Sequence, residues 1–285
     1  MNLKKELKEY SNIYLAFSGG IDSSVLADML RKENIPFTAL YFNHNWSPYG
    51  EKAQKFCKEI CEKESVPLIT ESWESPIKKE KESRNARLDF FKKNVKGENP
   101  VLLQGHHKND HVETILQQLL RGTKLLPGLQ SKKYVNEIQI FRPLLKMTKT
   151  EILNYAHIND IDCCPDPTNL NPDIATRNKI RNEILPQMDK IYPNCGTQLN
   201  RLSNHLSEIE DFLQSTLPKI TQKLSVKTIK SLHPVQAKAY LVKWLKEKEI
   251  SNISDKLIQT ILNDLIYSFE KAKVNLPKNK FCQRR

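Results

Sequence analysis

Ile13-Tyr14-Leu15-Ala16-Phe17 runs directly into Ser18-Gly19-Gly20-Ile21-Asp22-Ser23-Ser24, and this junction decides the fold. The apolar, partly β-branched run reads as a buried strand. Two glycines follow, and Val25-Leu26-Ala27-Asp28-Met29-Leu30 has apolar positions suited to a helix. A strand, a tight glycine turn and a helix start gather backbone N–H groups around one point, and the helix dipole adds positive charge there. The turn is therefore suited to phosphate. Gly19 and Gly20 let the backbone approach closely, and Ser18, Ser23 and Ser24 offer hydroxyls. Asp22 has two readings: a cap on the helix, or a carboxylate bridged to phosphate by Mg²⁺. No Gly-Lys-Ser/Thr follows, so this is not a Walker A loop, nor is it G-x-G-x-x-G.

Strand and helix patterns alternate outward from this unit. Residues 37–42, 66–70 and 101–104 read as strands; 51–64 and 110–120 read as helices. Such alternation implies a doubly wound, mostly parallel α/β sheet, with ligands at the carboxyl ends of its strands. Ser18–Ser24, Asn43-His44 and Gly105-His106-His107 all fall at such ends, which favours one composite site. The Lys/Glu/Ser-rich stretch 75–85 reads as a mobile surface segment. Beyond Thr148 the strand signal fades, and 208–217, 234–248 and 256–269 read as helices. Turn residues at Pro193-Asn194-Cys195-Gly196 place a boundary there. The expected organisation is a catalytic domain over 1–195 and a smaller, basic, mainly helical domain over 196–285.

The chain of 285 residues carries a formal net charge of +12, of which +8 falls in residues 196–285. A basic surplus concentrated this way points to an acidic partner, although a generally solvated basic surface accounts for charge alone. No apolar stretch approaches the ~20 residues of a membrane span, and the charged N-terminus lacks a signal-peptide core. A cytoplasmic protein with six reduced cysteines, and no membrane partner, is expected. Asp110 and Glu113 share a face of one opening helical turn. They read either as acids against the helix dipole or as carboxylates holding an amine. His106 and His107 lack the Cys or carboxylate spacing that would complete a zinc set.

The SGGxDS loop resembles the pyrophosphate (PP) loop of the N-type ATP pyrophosphatases, which cleave ATP to AMP and pyrophosphate. In order along the chain come Asn43-His44; residues 80–91 with Arg84 and Arg87; His106-His107; Asp110; Glu113-Thr114; and Leu120-Arg121-Gly122-Thr123. Then follow Gly128-Leu129, Arg142-Pro143-Leu144-Leu145, Asp166-Pro167-Thr168-Asn169, Arg177-Asn178, Ile180-Arg181 and Ile184-Leu185-Pro186. That order and spacing resemble the tRNA(Ile)-lysidine synthetase family over residues 11–190, and the helical remainder is similar to the domain that follows its catalytic core.

The resemblance implies a C–N bond-forming ligase with a PP-loop, Rossmann-like fold. ATP would adenylate the C2 carbonyl oxygen of the wobble cytidine in tRNA(Ile) with a CAU anticodon, releasing pyrophosphate, and the ε-amino group of free L-lysine would attack C2 and displace AMP to give lysidine. ATP would be held by Ser18, Gly19, Gly20, Ile21, Asp22, Ser23, His44, His106 and Arg142, with Mg²⁺ on Asp22. The catalytic set would be Asp22, Asp110, Glu113, Arg84 and Arg87. Asp110, Glu113, Arg177 and Arg181 would bind substrate. For any one of these arginines alone, surface or interdomain ion pairing is the plainer account. The oligomeric state is not written in the sequence; a homodimer is admitted. Departures are Asn109 and His111 in place of the first acid and the amide of HHxDDQ, Leu88 for a Tyr, and Asn45-Trp46 for Gly-Leu. The competing readings are a PP-loop tRNA thiolase and an inactive RNA-binding protein on the same scaffold. Against the thiolase, Cys57 and Cys61 sit one turn apart on an apolar helical face, as core residues do.

Overall fold

The computed structural model describes residues 2–45, 49–73, 80–123, 125–135, 137–171, 175–250, 253–268, 273–277 and 280–283. The chain forms two compact units, Met1–Asn204 and His205–Arg285.

The first unit begins with a short helix α1 (Leu3–Leu7), followed by β1 (Asn12–Ala16), α2 (Ile21–Lys32), β2 (Thr38–Asn43), α3 (Tyr49–Lys63) and β3 (Leu68–Ser72). Next come α4 (Glu80–Asn94), β4 (Pro100–Leu103), α5 (Lys108–Leu120), β5 (Lys132–Val135), β6 (Ile138–Phe141) and α6 (Lys149–Ile158). Short helices α7 (Thr176–Lys179) and α8 (Leu185–Ile191) flank a wider π-type turn at Ile180–Ile184, and α9 (Cys195–Ser215) runs through the division between the units.

The sheet order is β3-β2-β1-β4-β6-β5. All neighbours are parallel except β5, which runs antiparallel to β6 at the edge. Strand β2 shows why both faces are covered. Ala39 and Tyr41 enter a core with α2, α3 and α6, while the alternate residues Leu40 and Phe42 enter a second core with Ala86, Phe90 and Phe91 of α4. A strand buried on both sides reads as a continuous apolar run, as this one does. Cys57 and Cys61 are buried in the first of these cores, and all six cysteines are free thiols.

Successive strands step outward from β1 to β3, and the chain then returns to lay β4 on the other side of β1. The crevice between the carboxyl ends of β1 and β4 is thus the topological switch point, where open α/β sheets bind ligands. The segment 75–85 expected to be mobile is corrected in part. Residues 80–85 open helix α4, with Ser83 buried, whereas 75–79 lie outside the described residues. The β5–β6 hairpin was not legible in the sequence, because Lys132-Lys133-Tyr134-Val135 is an exposed four-residue edge without an apolar alternation.

The second unit contains α10 (Val226–Ser231), α11 (Pro234–Glu247), α12 (Asp255–Thr260) and a π-type turn over Ile261–Tyr267. A small hairpin, β7 (Lys273–Asn275) and β8 (Phe281–Gln283), adds strands to a region read as helical. Ala237, Tyr240, Leu241, Leu245, Ile258 and Ile261 form its own core. No helix among the described residues is long and apolar enough to cross a membrane.

Candidate active site

The glycine turn after β1 is braced from within. Ser23 Oγ donates to the Gly20 carbonyl at 2.9 Å and lies 3.2 Å from Ser18 Oγ; Ser18 Oγ accepts from Gly20 N at 3.4 Å. The serine hydroxyls therefore shape the turn, leaving the backbone N–H groups at the start of α2 to face the crevice. Gly19 has φ +76°, and a Cβ there would stand 3.1 Å from the Phe56 ring and 3.2 Å from Cys57 Sγ. Its carbonyl accepts from Cys164 N at 2.8 Å, so the 161–166 segment straps the turn from outside.

Asp22 does not cap α2; Gly20 occupies that position. Its carboxylate points to Lys149, with Oδ1 2.6 Å from Nζ and 3.8 Å from His107 Nε2. An ammonium already lies against Asp22, so the position suits a cation. The described residues hold no group of three or more His, Cys, Asp or Glu side chains that could bind a metal by themselves. A divalent ion at Asp22 would complete its shell with phosphate oxygens and water.

The end of β2 brings Asn43 and His44. Asn43 is buried and accepts from Asn45 N at 2.9 Å, while His44 Nδ1 lies 2.6 Å from Ser83 Oγ. Burial and the nearby Arg87 lower the His44 pKa to about 4. Arg84 and Arg87 project from α4 with much of their surface accessible. Protein crowding and Arg84 nevertheless push the Arg87 pKa below the ordinary guanidinium value. At the end of β4, a Cβ on Gly105 would stand 3.0 Å from the Asp22 carbonyl carbon and 3.1 Å from Ser23 N. The β4 loop and the PP loop therefore touch backbone to backbone. His106 Nδ1 accepts from the Nε of buried Arg142 at 3.2 Å. Burial lowers the His106 pKa to about 3, with Arg142, Arg177 and Arg87 adding to the shift against the pull of Asp110.

These histidines make a testable pH dependence. Their folded pKa values lie below the ordinary 6.5 or so, so the unfolded chain binds protons first as pH falls. Stability present near pH 7 should then be lost from about pH 6.5 down to about 4 for His44 and about 3 for His106, on the order of 1–2 kcal/mol for each by pH 5. Burial lowers His107 and His111 as well, in the same sense. Urea-unfolding midpoints at several pH values should show this slope, and His106→Asn should flatten it.

On α5, Asp110 and Glu113 are buried and meet Arg177 and Arg181 in one quartet. Arg177 Nε lies 2.7 Å from Glu113 Oε2 and its Nη2 2.9 Å from Asp110 Oδ1. Arg181 Nε lies 2.6 Å from Glu113 Oε1 and its Nη2 2.9 Å from Asp110 Oδ1. The two arginines are four residues apart, on one face of the α7–π-turn segment. Burial alone would raise the Asp110 pKa, but Arg177, His107 and His106 together hold it below the usual carboxylate range. Beside the quartet opens a chamber of about 490 Å³, lined by His107, Glu113, Arg181, Lys149, Asp189 and neighbouring residues.

Residues 1–188 match the model of a PP-loop domain family. The tRNA(Ile)-lysidine synthase of Francisella philomiragia is 34% identical over 281 residues, covering 93% of this chain and 70% of that protein. The chain belongs to the tRNA(Ile)-lysidine synthase family. The enzyme of that name from Buchnera aphidicola is 30% identical, covering 98% of this chain and 66% of that one. Among solved structures, the U34-tRNA thiolase NcsA of Methanococcus maripaludis shares the fold, with a TM-score of 0.55 and 17% identity over 73% of this chain and 76% of that one. The protein is accordingly a ligase-type enzyme built on a PP-loop ATP-binding domain.

Within the tRNA(Ile)-lysidine synthase family pattern, the departures at 109 and 111 have local explanations. Asn109 Oδ1 accepts from Lys149 N at 3.0 Å, tying α6 to α5. His111 accepts from Leu129 N at 2.9 Å, and its Nε2 lies 3.0 Å from Asn200 Oδ1. The structure brings the PP loop, His106, Arg142 and the quartet to one end of the sheet, with His44, Arg84 and Arg87 at the neighbouring strand end. Two contributors escaped the sequence reading, Lys149 and Ser83, and the backbone contact of Gly105 with Asp22 was not foreseen. Lys149 follows the Arg142-Pro143-Leu144-Leu145 motif closely enough to have been a candidate; nothing local marked Ser83.

Proposed function

We propose that this enzyme joins free L-lysine to C2 of the wobble cytidine of tRNA(Ile) bearing a CAU anticodon, through an adenylated cytidine, with release of pyrophosphate and AMP. The observation that carries this reading is the placement of a buried acid–arginine quartet and an open chamber at the same end of the sheet as the phosphate-suited turn. A PP loop alone would serve any adenylating enzyme; the quartet adds a place to hold a charged amino acid.

The first N–H groups of α2, with Gly19 and Gly20, would hold the β- and γ-phosphates. Asp22 would give one oxygen to a Mg²⁺ ion shared with the phosphates, and that ion would supply neutralisation of the leaving pyrophosphate. His44 and His106, neutral at physiological pH, can accept or donate a hydrogen bond without adding charge beside the nucleotide. Arg84, Arg87 and Arg142 would balance the triphosphate and the tRNA backbone. Lysine would enter the chamber and exchange partners with the quartet, its ammonium taking carboxylate oxygens of Asp110 and Glu113 and its carboxylate taking Arg177 or Arg181. Arg177 in the quartet helps keep Asp110 ionised, which a bound ammonium requires. The ε-amino group, once it has given up a proton to solvent, forms its bond to C2; the bond from C2 to the adenylate oxygen breaks, and AMP leaves with that electron pair.

The second unit has 15 Lys/Arg against 8 Asp/Glu over residues 205–285. It would grip the tRNA backbone, and its contribution should weaken with salt. Residues 1–195 would form the catalytic domain and 196–285 the tRNA-contacting one.

The test is AMP release from ATP with a CAU-anticodon isoleucine tRNA, with and without lysine. Release should require both, and Asp22→Ala should reduce it by about 1000-fold or more. Turnover that needs a sulfur donor, or tRNA binding without AMP, would defeat the reading.

A further inference from the structure

Lys149 is the first residue of α6, and two contacts fix its place. Its backbone N–H donates to Asn109 Oδ1 at 3.0 Å, and Lys108 N donates to the Met147 carbonyl at 2.8 Å. From that anchored position its side chain crosses to Asp22, the carboxylate within ion-pair distance of it among the described residues. A cation at the first position of a helix faces the positive end of that helix's own dipole, and α2 presents a second positive end beside Asp22. Glu151, in the first turn of α6, accepts from Thr148 N at 2.7 Å and from Oγ1 at 2.8 Å, so its charge offsets that helix's own dipole. Of the groups facing Lys149 from α5, Lys108 is cationic and Asp110 is engaged by Arg177 and Arg181. Asp22 is thus the carboxylate that balances the Lys149 ammonium, beside the positive end of α2 at the mouth of the turn.

We propose that Lys149 trades partners during the reaction. Its ammonium neutralises Asp22 until a divalent cation claims that carboxylate; it then moves onto the phosphate oxygens and stays with the pyrophosphate as it leaves. A divalent ion on Asp22 would repel an ammonium at this range. The flexible lysine stem, with three rotatable donors, lets the charge follow the phosphates. Both side chains are about a third exposed, at 34% and 30%, so the exchange needs no opening of the core. This rests on the reading of the turn as the pyrophosphate site.

The test is calorimetric binding of magnesium pyrophosphate to the full chain, independent of turnover. Four proteins are compared: wild type, Lys149→Met, Asp22→Asn and the double variant. Lys149→Met should weaken pyrophosphate about tenfold, and by a similar factor in the Asp22→Asn background, because the ammonium contacts phosphate directly. A loss that disappears once Asp22 is neutral would mean that Lys149 merely orients Asp22, and would overturn the proposal; so would unchanged affinity. Lys149→Gln serves if the Met variant does not fold. Wild-type protein that binds no pyrophosphate would instead defeat the reading of the turn itself.

Discussion

Arg181→Met should lower the unfolding free energy by about 2–4 kcal/mol and cut lysine-dependent AMP release by about 100-fold or more. Arg181 Nε and Nη2 contact both buried carboxylates, and Glu113 is nearly inaccessible, with 2% of its side chain exposed. Removing the guanidinium leaves Glu113 with Arg177 alone, and the carboxylate's missing solvation cannot be supplied by water. The figure lies toward the lower side of the range for broken buried pairs because Arg181 itself is 36% exposed. The loss should also depend on pH. The quartet holds the Asp110 pKa down, so its stabilisation is present above the ordinary carboxylate pKa and is lost as pH falls through the lower folded value. Urea unfolding near pH 7 should therefore show a larger deficit for Arg181→Met than unfolding near pH 2, below the ordinary carboxylate pKa. An equal deficit at both would mean that packing, not charge, holds the quartet.

Gly105→Val should weaken ATP binding by about 100-fold or more while costing about 1–3 kcal/mol of stability. The obstruction is backbone: a Cβ at 105 would meet the Asp22 carbonyl carbon at 3.0 Å, its oxygen at 3.1 Å and Ser23 N at 3.1 Å. None of these atoms can swing aside as a side-chain tip does, so the start of α2 must shift and misplace the N–H groups proposed to hold phosphate. Gly122→Ala is the contrast, since nothing lies within 4 Å of a Cβ there and only its φ of +67° opposes the change. It should leave nucleotide affinity untouched. Calorimetry with magnesium ATP on both variants decides the matter. Wild-type affinity in Gly105→Val would place the nucleotide away from the β1–β4 crevice.

Much of the fold is written locally. The apolar runs of β2 and β4 are buried on both faces and that of β1 packs against both cores, and a run of that kind is recognisable without knowing its neighbours. The edge hairpin β5–β6 was not legible, because edge strands carry lysine and exposed tyrosine and are paired only through tertiary contact. Helix α4 was half hidden in a Lys/Glu/Ser-rich stretch, since its buried face rests on few residues, among them Ala86, Phe90 and Phe91.

By itself the sequence determined that a strand, a glycine turn and a helix start meet at Ser18–Ser24, and which family's motifs follow in order. These depend on φ/ψ preferences, on periodicity and on the linear order of residues, which short stretches carry. The tertiary structure alone decided who partners whom. It set Lys149 on Asp22, 127 residues apart, and Arg177 and Arg181 on Asp110 and Glu113. It also pressed Gly105 onto the backbone of Asp22. Ion pairs and close approaches of this kind depend on distances between chain segments, and those are fixed only when the sheet order and helix packing bring the segments together.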